Sequence, residues 1–165
     1  MTDLIARSNA PDRISDLMDP MPPVPPERHL YVIIPAAGQS RRMGGERNKQ
    51  FIPIDGIPVL VRTLLAFKEY LAVKEQTEPF HLHGVIVTSE PSIPEVLELL
   101  QNYGIPFVEK VIPGGMTRQD SVWNGIRSLA DLERAPRPDD VVFVHDGARC
   151  HVDRGTLERC LEGTL

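Results

Sequence analysis

From Leu30 onward, short apolar runs alternate with longer amphipathic segments along the chain. Apolar runs of this length predict strands, and apolar residues three and four apart predict helices. The predicted strands are 30–34, 83–89, around 107–112 and 141–146, and the predicted helices are 59–71, 93–103, 117–132 and 154–162. The last strand is apolar at four consecutive positions, which is typical of a strand covered on both faces. This alternation predicts βαβ units, and therefore an α/β fold with an open, mainly parallel sheet.

Turn and capping residues sharpen these boundaries. The pair Asp55-Gly56 predicts a tight turn, and Gly104 is placed to close the second helix. Thr117 and Asp120 have the spacing of a capping box at the start of the third helix. The buried stripe predicted for that helix consists of Val122, Ile126 and Leu129.

Length and composition limit the domain count and the class of partner. A chain of 165 residues is the size of one domain. Residues 1–28 hold six of the sixteen prolines and predict a disordered arm, which leaves residues 29–165 as the domain. The net charge of -5 gives no support to nucleic-acid or membrane-surface binding, since either needs an extended positive face. We therefore expect neither a nucleic-acid nor a membrane partner.

Other features of the sequence predict a cytoplasmic location. No apolar run approaches the roughly 20 residues of a membrane span, and the N-terminus lacks the pattern of a secretory signal. Cys150 and Cys160 have no recognisable ligand spacing and are predicted to be reduced thiols.

The loop after the first strand, PAAGQSRRMGGERNKQ over residues 35–50, concentrates glycines and basic residues in an acidic protein. Glycines let several backbone N–H groups converge on one anion, and the neighbouring charges suit a polyphosphate. Neither GxxxxGK[ST] nor GxGxxG is present, so a P-loop NTPase and a dinucleotide-binding dehydrogenase are disfavoured. A solvated basic surface loop is the competing interpretation.

Two further loops lie at the carboxyl edge of the predicted sheet, where such folds bind ligands. His145 and Asp146 end the fourth strand, and a single carboxylate beside phosphate oxygens is a common way to hold Mg²⁺. Asp146 could instead cap a turn or pair with Arg149. The glycines of PGGMTRQDS, residues 113–121, allow close approach of a flat base, although a plain strand-to-helix turn explains them equally. Arg118 and Asp120 are interpreted as surface or cap residues.

Three motifs together resemble one enzyme family. VIIPAAGQSRRMGGERNKQF is similar to the nucleotide-binding signature of sugar-phosphate nucleotidyltransferases. GGxxRxxSVxxG and VHDGAR narrow the resemblance to the 2-C-methyl-D-erythritol 4-phosphate cytidylyltransferase family, over about residues 30 to 160. The related ribitol-5-phosphate cytidylyltransferases share these motifs. The resemblance implies a Rossmann-like nucleotidyltransferase fold with helices on both faces of the sheet. It also implies cytidylyl transfer from CTP to a sugar-alcohol phosphate, with Mg²⁺ as cofactor.

The resemblance also implies roles for individual residues. Arg42 and Lys49 would clamp the triphosphate and stabilise the transition state, and Asp146 would bind Mg²⁺. Arg41 and Arg47 are left as solvated surface. The remaining nucleotide-binding positions are Pro35, Ala36, Ala37, Gly38, Gly114, Gly115, Ser121, Gly147, Ala148 and Arg149.

The sequence departs from the family pattern at several points. Asn48 stands where Pro is usual, Met116 where a polar residue is usual, and Cys150 where Pro is usual. Resembling enzymes continue for roughly another third of their length, with an arm that joins two subunits and residues for the second substrate. A homodimer is therefore an expectation that depends on such an arm. The alternatives are another acceptor, such as ribitol 5-phosphate, and an inactive nucleotide-binding module.

Overall fold

The computed structural model describes residues 27–38 and 48–164 of the chain. The predicted arm over residues 1–28 lies outside the described residues, apart from Glu27 and Arg28. The strands are β1 (Arg28–Pro35), β2 (Pro53–Ile54), β3 (Ile57–Pro58), β4 (Phe80–Thr88), β5 (Val108–Pro113) and β6 (Val141–Val144). The helices are α1 (Val59–Lys74), α2 (Ile93–Asn102), α3 (Arg118–Ser128) and α4 (Arg154–Glu162), with short 3₁₀ turns at Lys49–Phe51, Glu90–Ser92 and Leu129–Asp131.

The described part of the chain forms a parallel sheet with strand order β5-β4-β1-β6. β4 and β5 follow β1 on one side, and β6 then joins the other side of β1. The order therefore reverses at β1. In open sheets of this kind, the reversal leaves a crevice at the carboxyl ends of the two diverging strands. The predicted parallel α/β architecture is confirmed.

Helices cover the sheet on both faces, as predicted. On one face, Leu30, Val32 and Ile34 of β1 pack with Leu60 and Leu64 of α1 in the larger core. On the other face, Tyr31 and Ile33 pack with Val85, Val87 and Leu129. Every β1 residue from Leu30 to Ile34 has no exposed surface. β1 is thus the central strand of the core.

The predicted tight turn at Asp55-Gly56 is confirmed as the loop of the β2–β3 hairpin. Both residues have positive φ, 49° at Asp55 and 78° at Gly56. Positive φ at both central residues is the geometry that joins two antiparallel strands through two residues. The Thr117–Asp120 capping box is likewise present. Gly104, at φ 57°, follows the end of α2.

The predicted buried stripe of α3 is only partly correct. Leu129 is buried, but Ile126 is 40% exposed. Small residues make the buried face instead, since Ser121, Gly125 and Ser128 turn toward the sheet. A Cβ at Gly125 would lie 2.5 Å from Cγ2 of Ile33. The helix packs too closely on β1 to fit a large side chain there, so the apolar periodicity selected the wrong face.

The prediction that β6 is covered on both faces is wrong for this structure. Val142 is 40% exposed and Val144 is 43% exposed. These residues share a sheet face with Tyr31 and Ile33, their register partners on β1. Over the described ranges, α3 covers β1 and β4 on that face and leaves β6 open.

In the part of the chain that the structure describes, no helix combines the length and apolar character needed to cross a bilayer.

The ion pair between Arg134 and Asp140, just before β6, predicts how the stability of the fold depends on pH. Asp140, with 7% of its side chain exposed, accepts hydrogen bonds from Arg134 Nη1 at 2.6 Å and from the Arg137 N–H at 2.6 Å. Burial by itself would raise the pKa of Asp140, but these donors outweigh it and hold that pKa below its usual 3.8. A carboxylate of lowered pKa stabilises the fold above its unfolded pKa and loses that contribution as pH falls through its folded pKa.

We therefore expect Asp140→Asn to lower the free energy of unfolding by about 1–3 kcal/mol near neutral pH. The difference from wild type should shrink as pH falls below about 4. Urea unfolding across this range measures both effects. The exposed neighbour Asp139→Asn is the matched control, and a difference for Asp140→Asn that stayed constant down to acid pH would contradict the assignment.

Candidate functional site

The carboxyl ends of β1 and β6 are joined by backbone hydrogen bonds beyond the strands themselves. The N–H of His145 donates to Ile33 O at 2.9 Å, and the N–H of Gly147 donates to Pro35 O at 3.1 Å. On the other side, the N–H of Ala36 donates to Val87 O at 2.7 Å. These bonds hold the loop after β1 between its two neighbours, at the reversal in strand order.

The loop after β5 meets the same point through Gly114. A Cβ at Gly114 would lie 2.8 Å from Cβ of Ala37 and 2.9 Å from Oγ of Ser121. Its N–H donates to Thr88 O at 2.7 Å. No side chain fits at position 114 between the loop after β1 and the loop after β5. Only glycine therefore allows these two loops to lie so close together.

Ser121 supports this loop from the first turn of α3. Its side chain is buried, and its Oγ accepts from the Gly115 N–H at 3.1 Å and donates to Thr117 O at 3.0 Å. At Gly115 a Cβ would lie 2.2 Å from Cβ of Asp120. In this structure, Ser121 fixes the conformation of the glycine pair, and its predicted role in nucleotide binding stays a prediction.

Gln50 secures the carbonyl of Ala36. Its side chain is almost fully buried, and its Nε2 donates to Ala36 O. Thr88 Oγ1 points at the same carbonyl from 3.5 Å. Gln50 belongs to the short turn Lys49–Phe51, so its burial places the exposed Lys49 at the edge of the first loop.

Asp146 is clamped by two guanidinium groups. Its Oδ1 accepts from Arg118 Nη2 at 2.7 Å, and its Oδ2 accepts from Arg149 Nε at 2.9 Å. The hydrogen bond from Arg118, assisted by the charges of both arginines, holds the pKa of Asp146 below its ordinary value. The carboxylate is therefore ionised at neutral pH. The pairing with Arg149 that the sequence left open is present, and Arg118 joins it.

His145 lies just inside this edge and packs against Phe67, with ring centroids 5.3 Å apart in an edge-on arrangement. Its buried Nδ1 has no hydrogen-bond partner within the described residues. Burial lowers the pKa of His145 below its usual 6.5. The ring is therefore a neutral packing group at physiological pH.

Thr63 anchors the segment that carries Asp146. From the buried face of α1, its Oγ1 lies 3.1 Å from Gly147 O, to which it donates, and 3.2 Å from Val59 O. A Cβ at Gly147 would approach Leu60, Ile34 and Ala36 within 3.4 Å. The loop after β6 is thus seated directly on α1.

Replacing Thr63 with valine keeps the shape of the side chain but leaves the Gly147 carbonyl without this donor. We expect the free energy of unfolding to fall by about 1–2 kcal/mol, the penalty of an unsatisfied buried acceptor. Chemical denaturation measures the change. Thr77→Val is the matched control, because the Thr77 hydroxyl donates to Lys74 O at an exposed helix end. Equal losses in both variants would contradict the anchoring role.

A cavity of about 700 Å³ opens beside Asp146. This volume is within the usual range for small-molecule sites. The lining residues include Arg118, His145, Asp146, Ala148 and Arg149. Two arginines and one carboxylate at its wall give it the charges to bind an anionic ligand together with a cation.

The structure brings most of the predicted site residues to one edge. These are Pro35, Ala36, Ala37, Gly114, Ser121, Asp146 and Gly147, joined by the contacts described above. Gly38 ends the described part of the first loop. Arg42, Arg41 and Arg47 lie outside the described residues, so their predicted roles stay predictions.

Sequence reasoning missed three residues that shape this edge: Gln50, Thr63 and Arg118. Gln50 and Thr63 looked like ordinary polar positions because only the fold shows that they are buried. Arg118 carried one usable signal. The capping box places it at the first position of α3, and α3 begins at the carboxyl edge of the sheet.

Comparisons with known proteins agree with this geometry. A family model described as 2-C-methyl-D-erythritol 4-phosphate cytidylyltransferase matches residues 30–164. A protein of that name from Geotalea uraniireducens is 36% identical over 134 residues, which are 81% of this chain and 52% of the relative. Another from Halalkalibacterium halodurans is 37% identical over 131 residues, covering 79% and 51%. The chain thus spans about half the length of these relatives.

A solved structure shares the fold. It is a 4-diphosphocytidyl-2C-methyl-D-erythritol synthase from Anaerococcus prevotii, with a TM-score of 0.56 and 20% identity. The match covers 83% of this chain and 51% of that one.

Proposed function

Because this chain belongs to the 2-C-methyl-D-erythritol 4-phosphate cytidylyltransferase family, we propose that it binds CTP with Mg²⁺ and transfers the cytidylyl group. The acceptor is 2-C-methyl-D-erythritol 4-phosphate, and pyrophosphate is released. The reaction takes place in the cytoplasm and contributes to non-mevalonate isoprenoid biosynthesis.

The meeting of three loops at the β1 carboxyl end is the observation that carries this proposal. Gly114 touches Ala37, Arg118 bonds to Asp146, and Gly147 bonds to Pro35. The loops after β1 and β5 are rich in small residues. The loop after β6 presents the carboxylate of Asp146, which lies between two arginines. A flat base can approach the glycines while a triphosphate extends toward the charged end.

Asp146 fits the role of a magnesium ligand beside a nucleotide. Its carboxylate is ionised, lines the cavity and keeps 28% of its side-chain surface exposed. Mg²⁺ is commonly held by one or two carboxylates together with substrate phosphates and waters. When bound, the ion would neutralise charge on the phosphates.

The arginines that hold Asp146 would exchange partners when substrate arrives. Arg118 and Arg149 are more than half exposed at their side chains, 65% and 77%, so both can turn toward phosphate oxygens. A guanidinium matches phosphate oxygens as well as it matches a carboxylate. By pairing with both guanidinium groups, Asp146 keeps the two arginine side chains at the site before the triphosphate enters.

The chemical step is an in-line displacement at phosphorus. An oxygen of the acceptor phosphate attacks the α-phosphorus of CTP, and the bond to the β-phosphate oxygen breaks. The electron pair of that bond leaves with pyrophosphate. Such a step needs positioned cations more than covalent help, and Arg42 and Lys49 supply them. The Ala36–Gly38 backbone, held by Gln50, positions the nucleoside.

Calorimetric titration with CTP tests nucleotide binding in the presence and absence of Mg²⁺. We expect CTP to bind more tightly than ATP, GTP or UTP, and more tightly with Mg²⁺. Gly114→Ala should weaken binding because the new methyl group would displace Ala37 or Ser121. Gly155→Ala, at an exposed position of α4, is the matched control.

Pyrophosphate release with 2-C-methyl-D-erythritol 4-phosphate tests transfer, and ribitol 5-phosphate serves as the competing acceptor. Failure to bind CTP would refute the nucleotide site. Faster turnover with ribitol 5-phosphate would refute the proposed acceptor.

A further inference from the structure

A histidine cluster lies at the opposite end of the sheet from the nucleotide site, at the start of β1 and β4. His29 on β1 is the register partner of His81 on β4, and Tyr31 is the partner of His83. Register partners in parallel strands, and residues two apart on one strand, point to the same face. His29, His81 and His83 therefore share a face. Their rings stack, with His29 4.7 Å from His81 and 5.3 Å from His83 between centroids.

Three potential ligand atoms converge at the edge of this cluster. One atom each from Glu27, His29 and His81 lie within 4.8 Å of one another. Nε2 of His29 faces Glu27 Oε2 at 3.7 Å. Only 8% of the His29 side chain is exposed, while Glu27 and His81 are exposed and can adjust.

Behind these atoms runs a chain of hydrogen bonds. Nδ1 of His29 lies 3.0 Å from Nε2 of His83, and Nδ1 of His83 contacts Oε1 of Glu109 on β5. Glu27 and Glu109 therefore stand at the two ends of the imidazole pair His29–His83.

The geometry of this chain leaves one ring nitrogen of His29 available to a cation. Nδ1 of His29 lies against Nε2 of His83, and Nδ1 of His83 lies against Oε1 of Glu109. Nε2 of His29 instead faces Glu27 Oε2 at 3.7 Å, which is longer than a hydrogen bond. A metal ion between these two atoms could accept a lone pair from each.

We propose that Glu27, His29 and His81 form a binding site for a Zn²⁺-type transition-metal ion. Imidazole and carboxylate ligands are typical of zinc sites, and a metal-bound histidine usually donates its other N–H to a fixed acceptor. His83 and Glu109 provide that support for His29. The fourth position of a tetrahedral ion remains open to solvent because Glu27 and His81 lie at the surface.

Among the charged side chains, Arg134 acts most strongly on His29. Arg134 is itself bound to Asp140 and to the hydroxyl of Tyr31, so its charge is partly compensated. No cationic side chain bonds to Glu27, His29 or His81 among the described residues.

Such an ion would join the first residue of the described domain to two neighbouring strands. Glu27 immediately precedes β1, whereas His81 is the second residue of β4. The ion would fix the entry of the chain into the sheet without touching the nucleotide site. Ligand binding to the folded state alone raises thermal stability, so zinc should stabilise wild type independently of CTP.

Titration of the full chain with ZnCl₂, after removal of metals with EDTA, tests the proposal. We expect one ion per chain with saturable binding. His81→Ala and Glu27→Gln should each weaken zinc binding by about 10-fold or more, and Glu109→Gln by about 10-fold, as for loss of a supporting hydrogen bond. NMR of the imidazole nitrogens should show His29 protonated at Nδ1 and ligated at Nε2.

His151→Ala is the matched control because it removes an exposed histidine beside the nucleotide cavity instead. Glu27 and His81 are exposed, so their variants should fold, and circular dichroism in EDTA verifies this. Loss of zinc binding in His151→Ala with retention in His81→Ala would overturn the proposal. Absence of saturable binding to wild type would overturn it as well.

Discussion

Replacing Arg42 or Lys49 with alanine is expected to lower kcat by about 10²-fold or more, the scale of losing one preorganised charge at a transition state. Displacement at phosphorus concentrates negative charge on the equatorial and leaving oxygens. In the proposed site, Arg42 would offer a planar fork to these oxygens, and Lys49 would offer a compact mobile charge. Pyrophosphate release at saturating CTP measures the effect.

The matched control is Arg47→Ala, which removes the same charge from the same basic segment. We expect Arg47→Ala to retain kcat within a few-fold, because the sequence predicts that Arg47 is a solvated surface residue. A rise in KM with unchanged kcat in Lys49→Ala would assign Lys49 to ground-state binding only. Near-wild-type turnover in both Arg42→Ala and Lys49→Ala would reject their catalytic role.

Asp146→Asn should lower turnover in the presence of magnesium, but it should not weaken CTP binding in the absence of magnesium. With Mg²⁺, we expect turnover to fall by about 10²-fold or more because a charged ligand of the ion is lost. Without Mg²⁺, CTP should bind at least as tightly as to wild type. The reason is that Arg118 and Arg149 are no longer engaged by a carboxylate and can meet phosphate directly.

Calorimetry with CTP, with Mg²⁺ or with EDTA, separates these effects, and turnover is measured in parallel. Asp139→Asn is the control, since Asp139 is exposed and lies outside the cavity lining. If Asp146→Asn weakened CTP binding equally in both conditions, Asp146 would be orienting the arginines without contacting the ion.

Local sequence signals were sufficient for most of the fold. Apolar runs located the four strands of the parallel sheet, and Asp55-Gly56 and the Thr117–Asp120 box located a turn and a helix start. Periodicity failed at α3 and β6. At α3 the contact with the sheet is made by Gly125, which has no side chain to register in a hydrophobic pattern. At β6 an apolar run gave no information about which face a neighbour covers.

Sequence signals likewise identified some residues of the candidate site and missed others. Motifs identified Asp146 and the glycines because their chemistry is unusual at a strand end. Gln50 and Thr63 could not be found, because their importance depends on which carbonyl each meets after folding. The histidine cluster was missed for a different reason. His29 and His81 lie 52 positions apart in the sequence and become neighbours only through the register of β1 and β4.

The close packing of α3 on β1 makes the site sensitive to a residue outside the lining of the cavity. Arg118 and Ser121 occupy the first turn of α3, and Gly125 rests on Ile33 one turn further along. A larger residue at position 125 would lift the helix and carry both side chains with it. A misplacement of about 1 Å can cost 10²-fold in rate. Random mutagenesis screened for activity alone would therefore score Gly125 as though it were an active-site residue, and only a stability measurement would reveal that it is a spacer.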